Sequence, residues 1–201
     1  MRRLSVIIAI LLSFSCVQAQ LLSRTVLKTQ PVFTSIEEAQ KNPEQVYRLK
    51  LKIKADSLPD AVFQFTNLQE LTISKCRLSV LNQRISELTN LEYLDVSANQ
   101  LVRLPNSLCD LLNLKELIIN RNHIEELPEQ IGKLTQLTYI DAWDNPLYSL
   151  PRSISDLRFS LQELDMRQIE LRDEELEAME KLLPETKIQY TSTCDCHSTR
   201  K

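Results

Sequence analysis

Residues 91–122 read LEYLDVSANQLVRLPNSLCDLLNLKELIINRN, and their spacing decides the fold. Leu91, Leu94 and Val96 lead to Asn99, and 23 residues later Leu114, Leu117 and Ile119 lead to Asn122. Leu101, Leu104, Leu108 and Leu111 complete the first unit, matched by Ile124, Leu127, Ile131 and Leu134 in the second. Outward from there, the same ladder starts at Leu68 with Leu71, Ile73, Leu78, Leu81, Ile85 and Leu88, and at Leu137 with Ile140, Ala142, Leu147, Leu150, Ile154 and Leu157. A further start at Leu161 follows after 24 residues, and Val46 opens a shorter, imperfect copy. A period of this length, kept in register through consecutive copies, marks a repeat architecture of about six units.

The pattern inside one unit assigns its local structure. Alternation at Leu94 and Val96 predicts a short strand with one buried face, and Leu104, Leu108 and Leu111 return at helical spacing. Pro105, Pro128 and Pro151 suit the start of that helical turn, where a missing N–H costs little and φ is already set. One unit cannot close a core alone. Stacked neighbours bury each apolar ladder against the next, at ~1.5–3 kcal/mol per large side chain fully buried.

These residues resemble the leucine-rich repeat family. Its LxxLxLxxN signature stands as Leu91 to Asn99, Leu114 to Asn122 and, with Ile140 and Ala142 inside it, Leu137 to Asn145. The Leu-Pro pairs at 58–59, 104–105, 127–128 and 150–151 look like the variety found in many bacterial and Ras-scaffold-like proteins, while Leu81 is followed by Asn82. The resemblance covers roughly residues 46–183 and implies an α/β solenoid, with curved parallel strands on a concave face and short helices or helical turns on a convex one. Asn99, Asn122 and Asn145 are expected to satisfy backbone groups beyond the reach of the sheet ladder. Cys76 takes the same place in its unit, an accepted family alternative, and is expected buried and unpaired.

A solenoid needs covers at both ends. Ser35-Ile36-Glu37-Glu38 reads as a capping box, with the Ser35 hydroxyl and Glu38 carboxylate satisfying opening amides of a short helix limited by Pro43. With Val32, Phe33 and Ile36 it forms an expected lid over residues 20–45. At the other end, Leu176, Met179, Leu182 and Leu183 share one face of a helix that Pro184 stops. Lys187 to Tyr190 then reads as an edge strand and the remainder, within 184–201, as a polar tail.

The start of the chain is read separately. Arg2 and Arg3, the apolar run Leu4 to Leu12 and then Val17-Gln18-Ala19 form a signal peptide over residues 1–19, cut before Gln20. The run is interrupted by Ser13, Ser15 and Gln18, too early for the roughly 20 apolar residues of a membrane span. Lipidation at Cys16 is the competing reading, and the only membrane attachment envisaged. Export to periplasm, surface or medium would permit disulfides among Cys76, Cys109, Cys194 and Cys196 without choosing partners.

The 201 residues are 43% hydrophobic and 25% charged, which excludes a disordered or collagenous chain. Without Arg2 and Arg3, 22 basic against 27 acidic side chains leave about −5, so no broad attraction to nucleic acid is expected.

Successive strand side chains point to opposite faces, so residues between the buried leucines form outward columns. One runs Arg48, Glu70, Tyr93, Glu116, Tyr139, Glu163, the next Lys50, Thr72, Asp95, Ile118, Asp141, Asp165, and a third Lys52, Ser74, Ser97, Asn120, Trp143, Arg167. Tyr93, Ile118, Tyr139 and Trp143, bordered by Asp95, Asn120, Arg121, Asp141 and Asp144, make a candidate partner-binding centre, since aromatics beside charges typify interface cores. The same aromatics could instead only cover neighbouring strands.

Catalytic readings are thin. Gly132 is the single glycine, so no phosphate-cradling loop can be built, and His123 and His197 are the only imidazoles. The acidic column arises from repetition and reads as a solvated face. Cys194-Asp195-Cys196-His197 supplies too few well-spaced ligands for a metal. The residues after Pro184 are too few for a ubiquitin-ligase domain of the kind some bacterial repeat effectors carry. The expectation is a protein-binding module that is not an enzyme and uses no cofactor or metal. A lipid-anchored structural or adhesive envelope component, with a glycan as partner, is the alternative.

Overall fold

The computed structural model describes residues 21–169 and 172–191. The signal segment, Cys16 and the Cys194 to His197 cluster lie outside them.

Among the described residues, eight parallel strands form one open sheet in strict chain order. They are β1 (Val32–Phe33), β2 (Arg48–Lys50), β3 (Glu70–Thr72), β4 (Tyr93–Asp95), β5 (Glu116–Ile118), β6 (Tyr139–Asp141), β7 (Glu163–Met166) and β8 (Lys187–Tyr190). Leu49, Leu71, Leu94, Leu117, Ile140 and Leu164 are register partners across β2 to β7 and are all buried. The strands are short because each coil must leave the sheet within a few residues for the next apolar position to turn inward.

The return segment of each coil is a 3-10 turn, as at Gln83–Glu87, Asn106–Asp110 and Arg152–Leu157. Leu108 N–H donates to the Pro105 carbonyl and Leu111 N–H to the Leu108 carbonyl, at 3.0 and 3.1 Å. Three residues per turn stack Leu108 and Leu111 on one side, which a coil this compact requires. Gly132 lies at a close crossing between coils. A β-carbon there would sit 2.2 Å from the Ser153 carbonyl oxygen, so only glycine fits without displacing backbone.

The asparagine positions hold the turn after each strand. Asn99 Oδ1 accepts the Cys76 and Leu78 N–H groups at 2.9 and 3.1 Å, and its amide donates to the Ile73, Val96 and Ser97 carbonyls. Asn122 and Asn145 repeat the arrangement one and two coils on. Cys76 is buried and free, and its Sγ accepts from Ile53 N–H at 3.4 Å where an amide oxygen would otherwise stand. The residue preceding each of these positions has a left-handed backbone: Lys75, Ala98, Arg121 and Asp144 have φ of 59°, 51°, 56° and 57°. The asparagine bonds are what keep non-glycine residues in that costly region.

The N-terminal segment is more elaborate than a lid. Helix α1 (Arg24–Thr29) lies against the outward face of the sheet, and β1 adds a strand beside β2. Leu22 and Gln69 exchange two hydrogen bonds, and Arg24 reaches Glu116 at 2.9 Å across 92 residues. Helix α2 (Ile36–Ala39) starts at Ser35, whose hydroxyl accepts the Glu38 N–H at 3.2 Å. The hydroxyl itself donates to the Glu37 carboxylate at 2.5 Å, and among the described residues the Glu38 carboxylate takes no opening amide, so the box is half formed. At the other end α3 (Asp173–Leu182) buries Met179, Leu183 caps it, and β8 pairs with β7.

Candidate functional site

Strand register builds the outward face directly. Arg48, Glu70, Tyr93, Glu116, Tyr139 and Glu163 are Cα partners in succession, as are Lys50, Thr72, Asp95, Ile118, Asp141 and Asp165. The third column continues past the strands, where Ala98 N–H meets the Asn120 carbonyl, Arg121 N–H that of Trp143, and Asp144 N–H that of Arg167.

Trp143 is half-buried in this third column, between Asn120 and Arg167. The Arg121 guanidinium lies 5.4 Å from its ring centroid, and Arg121 Nε is 3.9 Å from Asp144 Oδ2. Both flanking residues are exposed, their left-handed φ directing the chain around the Trp143 ring. Tyr139 on β6 and Ile118 on β5 are each half-buried. Burial, then the carboxylates of Asp141, Asp165 and Glu163, push the Tyr139 phenol up to about 12, so it is a neutral hydrogen-bonding group. Past the turn, a shallow cleft of about 690 Å³ is lined by Arg121, His123, Asp144 and Tyr148. His123 and Tyr148 are exposed there. Only their position one coil apart, in the loops after the asparagines, could have flagged them.

The acidic column proves to be structural in part. Asp95, Asp141 and Asp165 each accept the backbone N–H two residues on, from Ser97, Trp143 and Arg167, at 2.9, 3.3 and 3.1 Å. These bonds hook the chain as it leaves the strand. Asp165 departs from the expected solvated face: it is 2% exposed because Arg167 folds back over it with three hydrogen bonds. Asn120 is likewise committed, donating to Asp141 Oδ2 at 2.5 Å.

Tyr93 is separated from the other aromatics by its roof. It lies under α1 in a cavity of about 390 Å³ shared with Leu27, Arg48 and Glu70. Burial, then the nearby carboxylates led by Asp95, raise its phenol to about 12. Of the nine candidates, Arg121, Trp143 and Asp144 are brought together, and Ile118 and Tyr139 are partly exposed on the same outward face. Asn120 and Asp141 brace it, Asp95 braces the neighbouring coil, and Tyr93 belongs to a second region.

Burial lifts the Asp141 carboxyl above the ordinary carboxylate range, outweighing the bonds from Asn120 and the Trp143 N–H. A carboxyl raised in the folded state favours folding when protonated, and that benefit is lost as pH rises through its folded pKa. Asp141→Asn is accordingly expected to raise stability at neutral pH, with the gain disappearing at pH about 3, where aspartates are protonated in either state. Urea unfolding at both pH values checks this. A loss at neutral pH would mean that its hydrogen bonds outweigh desolvation.

Among the described residues, no group of three His, Cys, Asp or Glu side chains is placed to hold a metal ion, and no helix is long and apolar enough to cross a membrane. Cys109 is buried, which raises its thiol to about 11 and keeps it unreactive.

A stack of coils with this ladder, these asparagines and one parallel sheet is a leucine-rich repeat solenoid. The leucine rich repeat family model matches residues 66–124. Among solved structures, the chain is similar to a leucine-rich repeat protein of Leptospira interrogans at 28% identity and a TM-score of 0.64, covering 80% of this chain and 46% of that one. It is also similar to internalin C2 of Listeria monocytogenes, at 20% identity and a TM-score of 0.64, covering 79% and 66% of the two chains. The plant peptide hormone receptor RGFR1 in complex with RGF2 shares the fold at 20% identity and a TM-score of 0.59, covering 80% and 26%. The chain thus spans less than half the length of the Leptospira protein. Comparison with curated proteins gives no match.

Proposed function

We propose that this chain is an exported protein-binding module that recognises another protein through the outward face of its sheet, the concave face of the family. The patch of Trp143, Tyr139, Ile118, Arg121 and Asp144 is the recognition centre. The observation carrying this reading is the Arg121 guanidinium 5.4 Å from the half-buried Trp143 ring, with Asp144 alongside. An aromatic ring and an arginine held together on a solvated face are the residue types that dominate binding energy when a partner excludes water from them. The face also does not contribute to the buried core that holds the coils together, so it is free to vary with the partner. The likeness to leucine-rich repeat proteins supports a binding role, and the Arg2-Arg3 pair followed by an apolar run supports export.

Trp143→Ala and Tyr139→Ala are each expected to weaken capture of the physiological partner by about 2 kcal/mol, roughly 30-fold, with the unfolding midpoint unchanged. Affinity purification with wild type and both variants, followed by titration of the protein that wild type retains, measures it. Equal affinity in both variants would remove this patch. Mass spectrometry of the mature N-terminus separates cleavage before Gln20 from lipidation at Cys16.

A further inference from the structure

The chain is acidic overall, at −3, yet its first repeat carries a run of cations at alternate positions: Arg48, Lys50, Lys52 and Lys54. The intervening Leu49 and Leu51 are buried and Ile53 is partly buried, so the four basic side chains share the outward side of β2 and its extension. Leu51 N–H donates to the Thr72 carbonyl at 2.9 Å, which continues the ladder past the strand. Arg48 is taken up by Glu70 at 2.5 Å. Lys50, Lys52 and Lys54 are exposed and have no ion-pair partner among the described residues. Lys28, on the exposed side of α1, joins Lys50 in lining the cavity that α1 roofs. The other cations of that cavity, Arg24, Arg48 and Lys115, are matched by Glu116, Glu70 and Glu92.

We propose that the ridge of Lys50, Lys52 and Lys54, with Lys28 beside it, docks an extended acidic peptide segment of a partner protein, one apolar side chain of which enters the cavity beneath α1. Three arguments select this occupant. Uncompensated ammonium groups on alternate residues of an extended chain recur every ~6.6 Å, the spacing of alternate side chains on an extended peptide. The cavity, about 390 Å³, has apolar walls in Leu27 and Val32 next to this charge, so it suits a short apolar group joined to carboxylates. Every carboxylate lining the cavity, Glu70, Glu92 and Glu116, is already paired, so among the described residues the unmatched charge a ligand meets there is that of Lys28 and Lys50. The surface goes beyond the Trp143 patch and stands or falls without it.

The probe is a fluorescein-labelled decapeptide with glutamate at alternate positions and one leucine, titrated by fluorescence anisotropy against the full chain. Wild type is expected to bind it with strong salt dependence, and the same peptide with glutamine for glutamate at least about tenfold more weakly. Lys50→Glu with Lys52→Glu, both exposed positions, is expected to abolish binding while circular dichroism stays unchanged. Lys50→Arg with Lys52→Arg retains it, and so does Trp143→Ala. Replacing the peptide leucine by alanine weakens binding through the cavity. Equal binding of the glutamine peptide, or indifference to the double charge reversal, overturns the proposal. Tighter binding of a sulfated oligosaccharide than of the acidic peptide overturns the peptide assignment.

Discussion

Asn99→Ala is expected to lower the free energy of unfolding by about 3–5 kcal/mol, since it orphans three buried backbone groups of the preceding coil at once. Cys76 N–H and Leu78 N–H lose their acceptor and the Ile73 carbonyl its donor at 2.7 Å, while the Val96 carbonyl keeps the Asn122 amide at 3.1 Å. Ile73, Cys76, Leu78 and Val96 are wholly buried, so these groups have little access to water as a replacement partner. The same bonds hold Ala98 at a φ of 51°, so the left-handed turn loses its support together with its partners. Asn99→Cys copies what Cys76 already does one coil earlier and is expected to cost less than Asn99→Ala. Urea unfolding of the three proteins decides it. A loss below about 1 kcal/mol for the alanine variant would show that the backbone finds other partners.

Leu117→Ala is expected to cost a comparable ~3–5 kcal/mol, the upper part of the range for buried leucine truncations. Leu117 lies midway along the ladder between Leu94 and Ile140, with coils on both sides that cannot collapse into the gap without breaking their own register. Its neighbour Ile118 is on the same strand and points the other way. Ile118→Ala should cost within ~1 kcal/mol, since a half-exposed side chain leaves no cavity. Equal losses at the two positions would mean that the sheet has no distinct inside and outside.

The repeat body was legible because its determinants are local and recur: a buried leucine at one strand position predicts the next 23 residues on. The asparagine roles, the free Cys76 and the outward columns followed from that period, while α3 was legible from its one-sided apolar face and β8 from the short run after Pro184. What periodicity could not reach is the segment before residue 46. Helix α1 has six residues, with one buried, Leu27, and it is held by Arg24 to Glu116 and Leu22 to Gln69, contacts that exist only once the chain has folded. Its position reassigns Tyr93 from the open patch to a covered cavity. The burial of Asp165 escaped for a similar reason, since it depends on Arg167 turning back along its own column. The basic ridge was visible as alternating lysines, yet its charge is informative only once Glu70 is seen to pair with Arg48 and to leave the lysines unmatched.

Trp143 is the only tryptophan in the chain, so it reports on its own patch without interference. The protein labelled with 5-fluorotryptophan gives one fluorine resonance, to be followed by NMR while the captured partner, unlabelled, is added. Binding through the outward face predicts that this resonance shifts and loses its access to a soluble paramagnetic quencher. A resonance that keeps its position and its exposure at saturation would contradict the account.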